Sequence, residues 1–372
     1  MSKKVLLFYI TQFSGHYQAA KAIERALLGL DGSIEADMIN AFDFTNPILG
    51  RIITRAYLEV IKKKPELWGN IYDNPSVLEK MKKAREALHK YNKPKIKKLL
   101  DTFAPDAVYC TQAFPCGMVA DYKRAYGKDI PLIAVLTDHA PHSYWIFDEV
   151  DVYVVPSERT ADIMEQKGIS REKIRIYGIP VDLRFKEEQK KDPIRVDLGI
   201  SPEKSTVLIM GGSQGLGAME GVVKSFLGDE EHPYQLLVVT GINKKLYKRL
   251  LDIIPSENRL IKLLPYTENI EELMEVSDII ITKPGGITTA EALAKRLPIL
   301  IINPIPGQEF LNTEYLVKEG VAIEAEDFNE IHDTINELFS SPDTLRKMKE
   351  NAERVARPDS ALKIAELVVK GI

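Results

Sequence analysis

The chain has 372 residues, of which 45% are hydrophobic and 28% are charged, and its formal net charge is −4. This length predicts two domains, and no apolar run approaches the roughly 18 to 20 residues that a membrane-spanning helix needs. Residues 1–10 resemble a signal peptide only superficially, because no small-residue cleavage site follows the apolar run, so we interpret them as a first strand. Cys110 and Cys116 are too few for a disulfide framework and lack zinc-spaced partners, which favours a reducing, cytosolic location.

Strand-like and helical stretches alternate through the first half of the chain. A helical pattern begins at Tyr17, so His16 lies at a helix start, and Asp138 ends a later strand with His142 in the same loop. Open parallel sheets bind ligands at the carboxyl ends of their strands, which makes His16, Asp138 and His142 candidate functional residues. Ordinary roles as a helix-start, turn and surface residue remain open for them. Strands are predicted at 5–10, 34–40, 106–112, 132–137 and 152–156, and a short one at 174–181. Those at 106–112, 132–137 and 152–156 are apolar through their length, as in a sheet covered on both faces.

A basic segment interrupts this alternation. Residues 47–78 show an apolar helical face that ends at Lys62, Lys63 and Lys64, and residues 51–98 carry a net charge of +9. Such a pattern suits an anionic membrane surface, and it equally suits a core-facing helix with a solvated lysine face. Nucleic acid is a weaker interpretation, because the aromatic residues are not interleaved with the basic ones.

A charged stretch with little periodicity, residues 184–197, predicts a domain boundary. Strands predicted at 206–210, 235–241 and 259–265 follow it, with a glycine-rich loop at 211–217. The predicted fold class is therefore α/β, with two Rossmann-like domains facing each other across a cleft. The N-terminal domain would comprise 1–183 together with a C-terminal helix, about 357–372, that packs back on it, and the second domain would comprise 198–356.

Residues 277–313 contain the strongest single pattern of the chain. An apolar strand, 279–282, runs into Lys283-Pro284-Gly285-Gly286, and a helix is predicted to begin at Thr288 with Glu291 in its first turn. A glycine turn before a helix directs backbone N–H groups and the positive end of the helix dipole at one point, which suits a phosphate or diphosphate. Glu291 would suit a pair of ribose hydroxyls. An ordinary strand–turn–helix connection is the alternative.

Several motifs taken together resemble one family, that of monogalactosyldiacylglycerol synthases and processive diacylglycerol glucosyltransferases. Their order and spacing, over roughly residues 5 to 340, are more specific than any single motif. The resemblance implies a GT-B architecture and inverting transfer of a hexose from a UDP-sugar to diacylglycerol. The motifs are Ser14-Gly15-His16, Thr137-Asp138-X3-His142-X2-Trp145 with Asp151, Tyr153 and Glu158 downstream, Gly178-Ile179-Pro180-Val181, Gly211-Gly212-Ser213-Gln214-Gly215, Lys283-Pro284-Gly285-Gly286-X-Thr288-X2-Glu291-Ala292 and Pro306-Gly307-Gln308-Glu309-X2-Asn312.

The resemblance also implies roles for individual residues. His16 is implied as the catalytic base or its positioning partner, and Asp138 and His142 as catalytic residues on the acceptor side. Glu291 would bind the ribose, and Thr288 with the Gly285-Gly286 backbone would hold the diphosphate. The family loop usually carries an additional glycine before Gly15-His16, where this chain has Phe13-Ser14. The remaining substrate-binding residues are Gln308, Glu309 and Asn312 at the sugar hydroxyls, and Ser14, Gly15, Gly212, Ser213 and Gln214 in the two glycine loops.

The chemistry of inverting transfer is compatible with these residues. A base must take the acceptor proton, for which His16 is suited, and the helix N-terminus can stabilise the leaving diphosphate. The sequence has no Asp-X-Asp motif, so we expect no cofactor and no metal. We expect a UDP-sugar, diacylglycerol or a similar lipid, and an anionic membrane surface as partners, and no nucleic acid. The expected location is cytoplasmic, peripherally associated with the inner face of the cell membrane.

Three alternatives remain open on the sequence. One is a related GT-B transferase acting on a polyprenyl-linked peptidoglycan intermediate, which shares the Gly-Gly-Ser-Gln-Gly loop, although the Thr-Asp-X3-His-X2-Trp stretch favours the lipid family. A UDP-sugar 2-epimerase is less favoured. The third is a non-catalytic sensor that retains the nucleotide-sugar site.

Overall fold

The structure of the protein is a computed structural model that describes residues 2–44, 91–227, 233–304 and 307–371. The chain divides into two compact units. Unit 1 comprises Met1–Leu183, Ile305–Gln308 and Pro358–Ile372, and unit 2 comprises Arg184–Pro304 and Glu309–Arg357. Residues 47–90 of the predicted basic amphipathic segment 47–98, with Lys62, Lys63 and Lys64, lie outside the described residues.

Unit 1 contains a six-stranded parallel sheet in the order β2-β1-β3-β4-β5-β6. The strands are β1 Lys4–Tyr9, β2 Glu35–Asn40, β3 Ala107–Cys110, β4 Leu132–Val135, β5 Val152–Val155 and β6 Ile174–Ile176. The α-helices of this unit are Gly15–Leu30, Ala41–Phe44, residues 91–103, Ala113–Tyr126, Glu158–Gln166 and Ser360–Lys370, and short 3-10 helices occupy Ser143–Trp145 and Arg171–Lys173.

Successive apolar side chains of β1 point to opposite faces of this sheet, and both faces are covered by apolar clusters. Leu6 and Phe8 lie in one apolar cluster, whereas Leu7 lies in a second cluster on the other face. The second cluster also holds Ile23 of the first helix and Ile364 of the C-terminal helix. The hydroxyl of the buried Tyr109 donates a hydrogen bond to the Ile364 carbonyl at 2.7 Å. The prediction that the C-terminal helix packs on the N-terminal domain is confirmed.

Unit 2 contains a second six-stranded parallel sheet, in the order β12-β11-β10-β7-β8-β9. Along β7, Val207 and Ile209 face one apolar cluster, and Leu208 faces the other. Its strands are β7 Ser205–Met210, β8 Tyr234–Val239, β9 Ile261–Leu264, β10 Ile279–Thr282, β11 Ile299–Ile302 and β12 Ala322–Ala325. Its helices are Lys191–Leu198, Met219–Ser225, Lys244–Ile253, Ile270–Glu275, Gly286–Ala294, Gln308–Lys318, Phe328–Ser340 and Pro342–Val355. Of the helix Gln308–Lys318, the first residue is assigned to unit 1 and the rest to unit 2.

Each sheet has a point at which the strand order reverses, and this point locates a crevice for ligands. In unit 1 the reversal lies between β1 and β3, and in unit 2 it lies between β7 and β10. Open α/β sheets bind ligands just beyond the carboxyl ends of the strands at such a point. The loops after β1 and β3, and those after β7 and β10, are therefore where each unit is built to hold a ligand.

The predicted linker contains regular structure. Residues 191–198 form a helix that belongs to unit 2, and it ends at Gly199 with φ +65°. Ile194 is the only fully buried residue of this helix. One buried position in eight residues gives no apolar periodicity, which is why the sequence pattern did not indicate a helix.

In the described ranges, no helix combines the length and the apolar character that crossing a bilayer requires.

Candidate functional site

The loop after β1 is tightly held although its backbone is strained. Ser14 is the N-cap of the helix Gly15–Leu30, where its Oγ accepts a hydrogen bond from the Tyr17 N–H at 3.2 Å and donates one to the Ile10 carbonyl at 2.7 Å. Thr11 and Phe13 have φ values of +55° and +58°, a region that strongly favours glycine. Phe13 thus adopts a glycine-like conformation just where the resembled family carries its additional glycine.

His16 is fixed by a backbone contact from the neighbouring strand. Its Nδ1 lies 2.7 Å from the carbonyl oxygen of Thr111, which directly follows β3, and 3.1 Å from Thr137 Oγ1. Because a carbonyl only accepts, Nδ1 carries the proton and Nε2 keeps a free lone pair. Burial of the ring lowers the pKa of His16 to about 4, so the imidazole is neutral at pH 7. The arrangement provides a neutral base with a defined tautomer.

Asp138 is connected to His16 through one hydroxyl group. Thr137 Oγ1 lies 3.4 Å from Asp138 Oδ2, so Thr137 can accept from the His16 Nδ1–H and donate to the carboxylate. Asp138 itself is partly buried in the loop after β4. A negative charge at the end of this chain favours a protonated imidazole. The structure therefore brings two of the three predicted catalytic residues into one hydrogen-bonded group.

His142 occupies a different part of the same loop. It precedes the short helix Ser143–Trp145, and its ring stacks on that of Trp145 with a centroid distance of 6.1 Å. The Tyr144 ring lies edge-on to it at 5.4 Å. Both of these ring contacts are aromatic, and Trp145 is buried.

In unit 2, the glycine-rich loop after β7 is wound too tightly for side chains at two positions. A β-carbon on Gly211 would lie 1.9 Å from the Leu216 carbonyl oxygen, and one on Gly215 would lie 2.0 Å from that of Thr240. The Ile242 N–H donates to the Ser213 carbonyl at 2.9 Å. The loop is therefore anchored to the turn after β8, and Ser213 and Gln214 remain partly exposed.

The loops at the reversal point of this sheet approach each other. A β-carbon on Gly212 would lie 3.8 Å from Thr288 Oγ1, so Gly212 lies against the helix that follows β10. This helix spans Gly286–Ala294, with Gly285 as its N-cap. The predicted start at Thr288 was two residues late, and Glu291 lies in the second turn, not the first. The Thr289 hydroxyl donates to the carbonyls of Gly285 and Gly286 at 3.1 Å each, which keeps residues 285–289 in the helical path.

A glycine at the N-cap has consequences for ligand binding. Gly285 offers no side chain to accept a hydrogen bond from the first N–H groups of the helix. These donors and the positive end of the dipole then face the reversal point of the sheet. The start of the helix, with Thr288 and the Gly212 backbone beside it, is arranged to receive an anion.

Residues of the helix Gln308–Lys318 secure this turn. Asn312 is fully buried, and its Nδ2 donates to the Pro284 carbonyl at 3.0 Å. Glu309 forms an ion pair with Lys283, in which both side chains are largely buried. Gln308 is the first residue of the helix and is partly exposed. In this conformation the Asn312 side chain therefore forms a hydrogen bond with the backbone of the turn after β10.

Three groups at these sites had no assigned role in the sequence analysis. The Thr111 carbonyl orients His16, the Thr137 hydroxyl links His16 to Asp138, and the Lys283 ammonium pairs with Glu309. Lys283 and Thr137 stood within recognised motifs, so their positions were indicated although their roles were not. Thr111 left no signal, because a main-chain carbonyl acts independently of residue type. Among the described residues, no group of three or more His, Cys, Asp and Glu side chains is placed to hold a metal ion.

Two family models match successive parts of the chain. Residues 16–181 match the model of monogalactosyldiacylglycerol (MGDG) synthase. Residues 206–364 match that of the glycosyltransferase family 28 C-terminal domain. The first match lies within unit 1, and the second covers most of unit 2 and continues into the C-terminal helix that belongs to unit 1.

Curated relatives are similar over nearly the whole length. The chain is 30% identical over 370 residues to the processive diacylglycerol beta-glucosyltransferase of Bacillus subtilis (strain 168), which covers 99% of this chain and 95% of that protein. It is 32% identical over 372 residues to the protein of the same name from Bacillus cytotoxicus, with 99% and 93% covered.

Solved structures of lower identity share the fold. The crystal structure of MurG from Acinetobacter baumannii has a TM-score of 0.60 at 16% identity, covering 99% of this chain and 100% of that one. A structure of S. aureus MnaA with UDP has a TM-score of 0.65 at 16% identity, covering 98% and 96%. A glycotransferase of kitacinnamycin reaches 0.67 at 13% identity, with 99% of both chains covered. These likenesses confirm the predicted GT-B fold class.

Proposed function

Because the chain belongs to the family of monogalactosyldiacylglycerol synthases and processive diacylglycerol glucosyltransferases, we propose that it transfers a hexose from a UDP-sugar to the hydroxyl of diacylglycerol. The observation that carries this proposal is the fixed imidazole of His16. Its Nδ1–H is engaged by the Thr111 carbonyl at 2.7 Å, which leaves Nε2 unprotonated at the end of the sheet where acceptors bind.

Unit 1 supplies the acceptor half of the reaction. His16 Nε2 takes the proton of the acceptor hydroxyl while that oxygen attacks the anomeric carbon from the face opposite the leaving diphosphate, so the configuration inverts. The imidazolium that forms is stabilised by the Thr111 carbonyl and, through Thr137, by the Asp138 carboxylate. His142, stacked on Trp145, lines the acceptor side of the same loop.

Unit 2 supplies the donor half. The diphosphate lies at the N-terminus of the helix Gly286–Ala294, beside Thr288 and the Gly212 backbone. Glu291, one turn further along and partly exposed, binds the ribose hydroxyls. Gln308 and Glu309, at the start of the next helix, face the sugar. Ser213 and Gln214 complete the phosphate side of the glycine loop, and Gly15 with Ser14 shape the loop that presents His16.

An enzyme that acts on diacylglycerol has to reach the membrane surface. Residues 91–98, the part of the basic segment that the structure describes, support peripheral membrane association. Lys93 and Lys97 each lie over the Tyr126 ring, at 5.3 and 5.1 Å from its centroid. Tyr91 is 58% exposed on the same helical stretch, residues 91–103. Lysines and tyrosines together suit the boundary between water and anionic headgroups. We place the enzyme in the cytoplasm, at the inner face of the cell membrane, with no metal cofactor in the proposed steps.

A product analysis tests the proposal. The purified chain is incubated with vesicles that contain diacylglycerol and anionic phospholipid, once with UDP-glucose and once with UDP-galactose, and the lipids are analysed by mass. We expect a hexosyl diacylglycerol from at least one donor, together with UDP release that depends on diacylglycerol. UDP binding without any acceptor-dependent release would identify a nucleotide-sugar sensor.

A further inference from the structure

Lys283 lies beside the helix N-terminus at which the diphosphate is proposed to bind, and so far it has been given no role in the reaction. It directly follows β10, at the reversal point of the unit 2 sheet. A β-carbon built on Gly285 would lie 3.4 Å from Lys283 Nζ, so the ammonium lies over the glycine that caps the helix Gly286–Ala294. An ammonium group and the positive end of a helix dipole thus occur at one place.

This lysine is held in position instead of extending into solvent. Its side chain is 17% exposed, and its ammonium pairs with the carboxylate of Glu309, which is 12% exposed. Three residues along the same helix, Asn312 donates to the Pro284 carbonyl. Side chains at i and i+3 share one face of a helix, so a single helical face grips both the Lys283 side chain and the adjacent backbone. Among the described residues, the carboxylate that pairs with the Lys283 ammonium is that of Glu309.

We propose that Lys283 contacts the diphosphate of the UDP-sugar and neutralises the charge that develops on the β-phosphate as the sugar leaves, with Glu309 as the residue that positions its ammonium. This inference rests on the proposed function. In the step concerned, the bond between the anomeric carbon and the β-phosphate oxygen breaks, and its electron pair stays on that oxygen. The acceptor oxygen forms the new bond to the same carbon, and its proton passes to His16.

Electrostatics makes Lys283 effective in this step. Charges in a site with little access to water interact far more strongly than in bulk solvent, and a cation already fixed where charge develops needs no reorganisation during the reaction. Before donor binding, Glu309 balances the ammonium. When the donor is bound, the diphosphate becomes a second anion beside the same cation, and Glu309 is available to the sugar hydroxyls.

A purely structural ion pair gives a different expectation. If Lys283 only joined the turn to the helix Gln308–Lys318, its replacement would weaken all uridine nucleotides alike, through a general loosening of the site. Contact with the β-phosphate instead predicts that replacement penalises UDP and spares UMP, which has no β-phosphate. The ratio of the two dissociation constants therefore distinguishes the two roles.

The test compares binding of UDP and UMP by titration calorimetry, without lipid. We expect Lys283→Met to reduce the preference for UDP over UMP at least about tenfold, as for the loss of one charge-assisted hydrogen bond. Lys283→Arg keeps the charge and should retain most of the preference. Lys283→Met leaves the Glu309 carboxylate without its partner, so the single variant could misfold. The double variant Lys283→Met/Glu309→Gln removes both charges, and it should show the same loss of preference for UDP over UMP.

Glu309→Gln is the matched control for the positioning residue. It should retain tighter binding of UDP than of UMP, because Lys283 is still present, and weaken UDP-glucose relative to UDP. A wild-type UDP/UMP ratio in both Lys283→Met and the double variant overturns the inference while leaving the proposed function intact. A wild-type chain that binds no UDP at all overturns the proposed function itself.

Discussion

The Nδ1–H of His16 donates a hydrogen bond to the main-chain carbonyl of Thr111, 95 positions further along the chain and 2.7 Å away. Adjacent pairing of β1 and β3 in the sheet brings these two residues together. A main-chain carbonyl does not titrate and cannot rotate away, so the ring orientation and the tautomer are the same at every pH at which the imidazole is neutral. The strand order therefore determines which ring nitrogen of His16 is unprotonated.

The pH profile should reveal the depressed pKa of His16. The neutral imidazole is the active form, so activity is lost as the pH falls through the pKa of about 4 in the folded protein. We expect the acidic limb of kcat/KM near pH 4, and full activity at pH 6.5, where an ordinary histidine is half protonated. Initial rates between pH 3.5 and 8, restricted to conditions in which circular dichroism shows a folded chain, measure this. An acidic limb near pH 6.5 would contradict a desolvated, neutral ring.

Replacing His16 should separate chemistry from donor binding. In His16→Asn, the amide can still donate to the Thr111 carbonyl, so the loop is retained while Nε2 is removed. We expect kcat to fall by about 10² or more, as for loss of a general base, and the Kd for UDP to stay unchanged. Steady-state turnover and titration calorimetry measure the two quantities. Near-normal turnover in this variant would remove His16 from the mechanism.

Glu291 offers a test of the ribose assignment. The Kd values of UDP and 2′-deoxy-UDP are compared in the wild type and in Glu291→Ala. A carboxylate that accepts a hydrogen bond from the 2′-hydroxyl should make the wild type prefer UDP by roughly 1.5 to 3 kcal/mol, and this preference should vanish in the variant. Equal losses for both nucleotides would show that Glu291 supports the site by another route.

The glycine loop of unit 2 allows a matched pair of substitutions. Gly215 and Gly217 both have positive φ, but a β-carbon on Gly215 would lie 2.0 Å from the Thr240 carbonyl oxygen, and one on Gly217 meets no atom within 4 Å. Gly217→Ala should cost about 1 kcal/mol through backbone strain alone. Gly215→Ala adds a clash of about 1 to 3 kcal/mol and should also weaken UDP binding. Denaturant unfolding and calorimetry measure both effects, and equal costs would contradict the clash.

Acid should destabilise unit 1 through the buried histidine His139. Burial and the nearby Arg159 lower the pKa of His139 to about 3, and its Nδ1 lies 3.3 Å from Ser157 Oγ. The unfolded chain binds a proton near pH 6.5 whereas the folded chain does not, so stability is lost as the pH falls from about 6.5 toward 3. His139→Asn retains a polar atom near Ser157 and should reduce the pH slope of unfolding by about 1.4 kcal/mol per pH unit between pH 6 and 4. An unchanged slope would show that the ring is protonated in the folded state.

The sequence alone was sufficient to predict those features for which the local residue pattern and the chemistry agree. Continuous apolar strands followed by glycine loops predicted both sheets and placed His16, Gly212 and Gly285 at strand ends, where the structure has them. It was insufficient where the structure depends on contacts distant in the chain. The Thr111 carbonyl is one such contact, and the Lys283–Glu309 pair, which joins a turn to a helix 26 positions later, is another.

Two differences have local physical causes. The helix after β10 begins at Gly286, where burial of the first turn outweighs the poor helix propensity of glycine that made Thr288 the expected start. The positive φ of Phe13 could not be predicted either, because residues other than glycine rarely adopt it. In both segments the folded chain departs from the intrinsic preference of the residue type.

The C-terminal helix Ser360–Lys370 has a consequence for how the chain is made. Tyr109 and Ser360 bond it to unit 1, the latter through the Ile179 carbonyl at 2.8 Å, and Ile364 and Val368 fill the cluster under β1. The ribosome therefore synthesises all of unit 2 before it synthesises the helix Ser360–Lys370, which completes the core of unit 1. Unit 2 is contiguous enough to fold during synthesis, whereas unit 1 must wait with Ile23 and Leu27 uncovered. The core of unit 1 is therefore completed only after all of unit 2 has been synthesised.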